Sequence, residues 1–129
     1  MRVLIDSSVW IDFFKGAPAA VSSVDALLAS DRAAIAGPVF AEVVSGARTR
    51  NEFATLSTKL AALRWLEPPP EVWSLVAETR FTLARQGVQA HLVDLVLAHT
   101  AYATSCELLT RDRDFEHIAQ VLAFGLQVL

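Results

Sequence analysis

The sequence predicts an α/β fold: a three-layer α/β/α sandwich around a central parallel sheet. Three observations predict it. Short apolar runs alternate with stretches of helical spacing along the chain. The runs are apolar at successive positions rather than at every second one, as in strands covered on both faces. The composition is that of a packed protein: 129 residues, 53% hydrophobic and 19% charged, with no repeat, low-complexity segment or linker, so residues 1–129 are read as one domain.

RVLI (2–5) reads as a short buried strand. Ser7 or Ser8 caps a helix running to about Lys15, with Gly16 as its stop. Pro18 suits a first helical turn, and Val21, Val24, Leu27 and Leu28 follow at helical spacing. AAIAG (33–37) is a small-residue strand, after which Pro38 opens a helix carrying VFAEVVSGA. A helix over 49–63 aligns Phe53, Leu56, Leu60 and Leu63 on one side. RWLE (64–67) forms a strand closed by the prolines at 68–70, which read as an internal turn. EVWSLVAETRFTLARQG forms a helix ending at Gly87, and residues 92–105 form another. CELLT (106–110) is a strand, RDRDF a turn and EHIAQVL a short helix; LQVL closes the chain with no element assigned.

The formal charge of −3 at pH 7 excludes a protein that grips nucleic acid by a wholly basic surface. Any action on nucleic acid then needs a local positive field or a bound cation. No apolar run approaches the ~18 residues of a membrane span, and the start of the chain lacks the plan of a signal peptide. The single cysteine, Cys106, makes no intrachain disulfide and suits a reducing, cytoplasmic setting. Arginine outnumbers lysine nine to two, which says little about mechanism.

The acids carry the chemistry. Asp6 directly follows three aliphatic residues, where an unpaired carboxylate is costly. Asp112 and Asp114 follow CELLT, Glu42 lies one turn into the helix after AAIAG, and Asp94 lies in a first helical turn. Ligands of open α/β sheets bind beyond the carboxyl ends of the strands. Each acid alone is explained by the preference of helix N-termini for negative charge, Asp6 least well. Together, four or five converging carboxylates repel one another, and a divalent cation resolves the repulsion. An all-oxygen ligand set selects Mg²⁺ or Mn²⁺. Other chemistry is weakly signalled. The glycines at 16, 37, 46, 87 and 125 form no phosphate loop, and His91, His99 and His117 have no metal spacing. His91, three residues before Asp94, is the least securely structural of them; Cys106 and the tryptophans at 10, 65 and 73 read as packing residues.

VLIDSSVWIDFF, VFAEVVSGAR, HLVDLVLAHTAY and ELLTRDRDFEHIA, in that order and at this length, resemble the PIN-domain ribonucleases, most closely the VapC toxins of VapBC toxin–antitoxin pairs. The resemblance implies a Mg²⁺-dependent endoribonuclease, with Mn²⁺ able to substitute. Its acids are Asp6, Glu42, Asp94 and Asp112, with Asp6, Asp94, Asp112 and Asp114 as metal ligands. Ser7 and Thr110 match hydroxyl positions near the metal and are expected, with Arg111 and Arg113, to contact substrate. Hydrolysis by an activated water, leaving a 5′-phosphate and a 3′-hydroxyl, is expected because the motifs offer no Ser or Cys paired with a base. Arg48, Arg50, Arg85, Arg111 and Arg113 are candidates for a positive rim, Arg111 and Arg113 being best placed to touch phosphate. Such contacts carry little sequence information, which leaves specificity to RNA shape or an exposed loop. Val9, Trp10, Ile11, Phe13 and Phe14 make the first helix apolar nearly all round, so one face packs on the sheet and the other is core or a partner groove. The resemblance implies a VapB-type antitoxin there, and a homodimer.

Three rivals remain. A haloacid-dehalogenase-like phosphatase needs a second Asp two positions after Asp6, where Ser8 stands. A phospho-accepting receiver domain needs a late lysine, yet only Lys15 and Lys59 are present. A non-catalytic PIN-like module binding RNA or protein is disfavoured by the intact acid set.

Overall fold

The computed structural model describes residues 1–129. Five parallel strands form one sheet in the order β3-β2-β1-β4-β5. They are β1 (Val3–Ile5), β2 (Ala33–Ala36), β3 (Arg64–Leu66), β4 (Glu107–Thr110) and β5 (Gly125–Val128). The helices are α1 (Ser7–Phe14), α2 (Pro18–Ala29), α3 (Gly37–Ser45), α4 (Arg50–Ala61), α5 (Val72–Arg85), α6 (Leu92–Ala103) and α7 (Phe115–Ala119). Every residue of β1 and β2 is buried, so both faces of the central sheet are covered and the expected three layers are present. Helices α1 to α4 pack among themselves, as do α5 to α7, and each group contacts the sheet. One cluster of 31 buried apolar residues runs through these layers.

Local chemistry explains the boundaries. Pro18 occupies the first turn of α2 and Pro38 that of α3, where a missing N–H costs nothing. Thr49 caps α4, its Oγ1 accepting the Glu52 N–H at 3.0 Å. Gly16 and Gly87 end α1 and α5 with φ of +80° and +82°, as their spacing predicts. In both, the glycine N–H bonds a carbonyl three residues back and the next N–H one five residues back: Gly16 to Phe13 and Ala17 to Asp12, Gly87 to Ala84 and Val88 to Leu83. Helices α2 and α6 end in the same motif, but with Asp31 (φ 54°) and Ser105 (φ 56°) in the glycine position.

Two readings are corrected. The residue before the first turn of α1 is Asp6, in extended conformation, not Ser7 or Ser8; its carbonyl accepts the N–H groups of Val9 and Trp10. Leu126–Val128 of the terminal LQVL belong to β5, a short edge strand whose residues are alternately exposed and half-buried. Cys106 and Trp10 are buried, but Trp73 is 60% exposed and Trp65, tilted against Phe40, is 38% exposed. His99 is packed against the Thr79 hydroxyl at 2.8 Å, and burial holds its pKa below the usual imidazole value.

Candidate active site

Asp6 sits where β1 hands over to α1. Its N–H donates to the Leu109 carbonyl of the neighbouring β4 at 2.9 Å, and its side chain is only 6% exposed. Hydroxyls meet its carboxylate: Ser8 Oγ donates to Oδ2 at 2.9 Å, Thr110 Oγ1 to Oδ2 at 2.8 Å, and Ser7 Oγ lies 3.4 Å from Oδ1. These donors offset the cost of placing an acid at the end of a buried strand. Thr110 in turn accepts the Asp112 N–H at 3.0 Å, and Ser8 accepts the Arg111 N–H at 3.1 Å. The segments leaving β1 and β4 are thus tied together where the strand order reverses, the place at which open α/β sheets bind ligands.

The remaining acids arrive from neighbouring elements. Glu42, on the helix after β2, accepts a hydrogen bond from Ser7 Oγ at Oε1. Asp94 lies in the first turn of α6, and Asp112 follows β4, its Oδ1 accepting the Asp114 N–H at 2.9 Å. Asp6, Glu42, Asp94 and Asp112 line one cleft of about 480 Å³, with Ser7, Ser8 and His91. Burial, then the charges of Asp6 and Asp112, push the Asp94 carboxyl up to about 6; Asp114 adds to this and His91 opposes it. No three of the His, Cys, Asp and Glu side chains close into a ready metal cage. The donors still suit a hard cation: all are oxygens, they repel one another as ions, and Mg²⁺ keeps several waters and uses one or two carboxylates.

The PIN domain family model matches residues 3–121. The chain belongs to the PIN-domain family. It is 30% identical over 125 residues to ribonuclease VapC11 of Mycobacterium tuberculosis and to VapC ribonuclease Mb1587 of Mycobacterium bovis, covering 92% of each chain in both comparisons. Its fold matches VapBC2 from Rickettsia felis bound to a promoter DNA fragment, with TM-score 0.80 and 18% identity over 100% of this chain and 99% of that one. It also matches DNA-bound VapBC from Salmonella typhimurium, with TM-score 0.79 and 20% identity over 99% and 98% of the two chains. PIN-domain ribonucleases generally depend on a divalent metal.

Within this PIN domain the other expected site residues divide. Ser7 lines the cleft. Thr110 is fully buried and cannot meet a substrate; its hydroxyl orients Asp6 instead, which corrects the substrate-contact reading. Asp114 lies outside the cleft, lining an adjoining cavity with Asp94. Arg111 pairs with Asp12 at 3.1 Å and Arg113 with Glu116 at 2.8 Å, both at the surface rather than in the cleft. Sequence reasoning missed two residues. Ser8, noted as a cap and as the residue standing where a phosphatase needs Asp, is a direct donor to Asp6. His91 lines both the cleft and the adjoining cavity, and its spacing before Asp94 was the only signal.

Proposed function

We propose that this chain, as a single PIN domain over 1–129, is a Mg²⁺-dependent endoribonuclease, with Mn²⁺ able to substitute, and the toxin of a VapBC pair. It hydrolyses RNA to 5′-phosphate and 3′-hydroxyl ends. The observation that carries this reading is the meeting of Asp6, Glu42, Asp94 and Asp112, residues far apart in the chain, in one cleft. The similarity to named VapC ribonucleases over 92% of the chain supports it.

Asp6, Asp94 and Asp112 would hold the cation directly or through water. Asp112 takes this role ahead of Asp114 because it shares the cleft with Asp6, leaving Asp114 to assist from the adjoining cavity. When bound, the cation lowers the pKa of a water and offsets charge developing on the phosphate. Glu42, held by Ser7, orients the attacking water. Ser7 and Ser8 direct their protons to Glu42 and Asp6, and no imidazole is hydrogen-bonded to either, which supports direct hydrolysis. Arg113 exchanges its exposed ion pair for phosphate at little cost, since such pairs contribute about 0–1 kcal/mol, and Arg111, whose partner Asp12 is largely covered, reaches phosphate at a greater cost.

The antitoxin's seat is an apolar groove of about 280 Å³ walled by Trp10, Phe13, Phe14, Leu28, Leu60 and Leu63, with Lys59 at its edge. Its form suits an apolar helix. A homodimer and a cytoplasmic location complete the proposal; no helix is long and apolar enough to cross a membrane, and the one cysteine is buried and unpaired.

The test is RNA incubated with purified protein in Mg²⁺ or Mn²⁺ and then in EDTA, beside Asp6→Asn and Asp94→Asn. Cleavage should need the metal and fall about 10²-fold or more in each variant, as when a group stabilising transition-state charge is removed. Persistent cleavage in EDTA, or a 2′,3′-cyclic phosphate product, would overturn the reading.

A further inference from the structure

Beside the acidic cleft lies a second cavity of about 300 Å³. Its wall is the segment from Gly87 to His91, and its other side is α7 with His117 and Ile118. The two hollows share His91 and Asp94, so they adjoin along that edge. Resting on the nuclease reading, we infer that this cavity is a receptor for one unstacked nucleobase of the RNA strand, next to the phosphate that is cut.

Size and lining support this class of ligand. A volume at the small end of ligand sites suits one nucleoside. His91 and His117 line the cavity, and histidine is among the side chains on which unpaired RNA bases stack. Val88 and the buried Ile118 supply apolar surface. Gln89 offers both amide donors and a carbonyl acceptor to a base edge. Asp114 lines this cavity and not the acidic cleft, and its charge disfavours a phosphate here. Asp114 also accepts from an exocyclic amino group, favouring adenine, cytosine or guanine over uracil.

The wall is preformed. Gly87 and Val88 close α5 onto Ala84 and Leu83 at 3.1 and 2.9 Å, and the His91 carbonyl accepts the Leu95 N–H at 3.1 Å. The segment carrying Gln89 is therefore pinned at both ends, and binding a base there orders little new backbone.

A single-stranded RNA pool with a randomised window, cleaved in Mg²⁺ and sequenced at the cut ends, tests this. Wild-type protein should disfavour uracil at one position beside the cut. Gln89→Ala should flatten that bias, and His117→Ala should raise KM about tenfold, the scale of one lost base stack. His117→Phe should keep KM close to wild type, since phenyl also stacks, whereas a merely structural histidine would not be rescued. Unchanged bias and KM in both alanine variants, with wild type cutting, would overturn the base receptor and leave the nuclease reading standing. If wild type cuts no RNA, both readings fall.

Discussion

A carboxylate at the end of a buried strand is held there by what donates to it, and for Asp6 the critical donor is Thr110, fully buried behind it. Thr110→Val keeps the shape and removes the hydroxyl. Metal affinity or cleavage should fall 10- to 100-fold, as when a partner that orients a metal ligand is lost, while Thr110→Ser should retain most of it. Metal titration of both variants checks this. Asp94 gives a second prediction. Its folded pKa, about 6, lies above its ordinary 3.8, so its contribution to stability is fully present below about pH 4 and is lost as pH rises through about 6. Thermal unfolding in EDTA from pH 4 to 7 should show this loss in wild type and not in Asp94→Asn. Divalent cation should oppose it above pH 6. The sequence made the acids visible as residue types near helix starts. It did not make visible the hydroxyls that orient them, because Thr110 meets Asp6 across 104 positions and only strand pairing brings them together.

At the scale of elements, the stops were legible where glycine marked them. Gly16 and Gly87 adopt the left-handed conformation that L side chains rarely enter. Asp31 and Ser105 occupy the same position at the ends of α2 and α6 and bear the strain of a Cβ there. Asp31→Gly and Ser105→Gly should each stabilise by about 1 kcal/mol, and Gly87→Ala should destabilise by a similar amount, read as shifts in urea midpoint at constant slope. The strands were legible where both faces are covered, and β3, an edge strand with two exposed residues, was marked by the prolines that close it. β5, a short edge strand with exposed positions, was not, and its place was set only by pairing with β4.

For the whole molecule, the parallel order brings β1 and β4 side by side and leaves the apolar groove on α1, α2 and α4 remote in composition from the acidic cleft. The two should therefore separate by mutation. Leu28→Glu, at a position 40% exposed, should weaken capture by the cognate antitoxin 10- to 100-fold, and RNA cleavage by the variant alone should match wild type. Binding and cleavage assays on the same preparation check this. The overall charge of −3 is consistent with a surface that leaves RNA contact to a small region.

The bond from Thr110 to Asp6 also has a consequence for how the protein is made. During translation Asp6 is made first, and its hydroxyl partner follows 104 positions later. A chain that has not yet made β4 has no hydroxyl to orient this acid, so the acid cluster assembles only once β1 and β4 have paired.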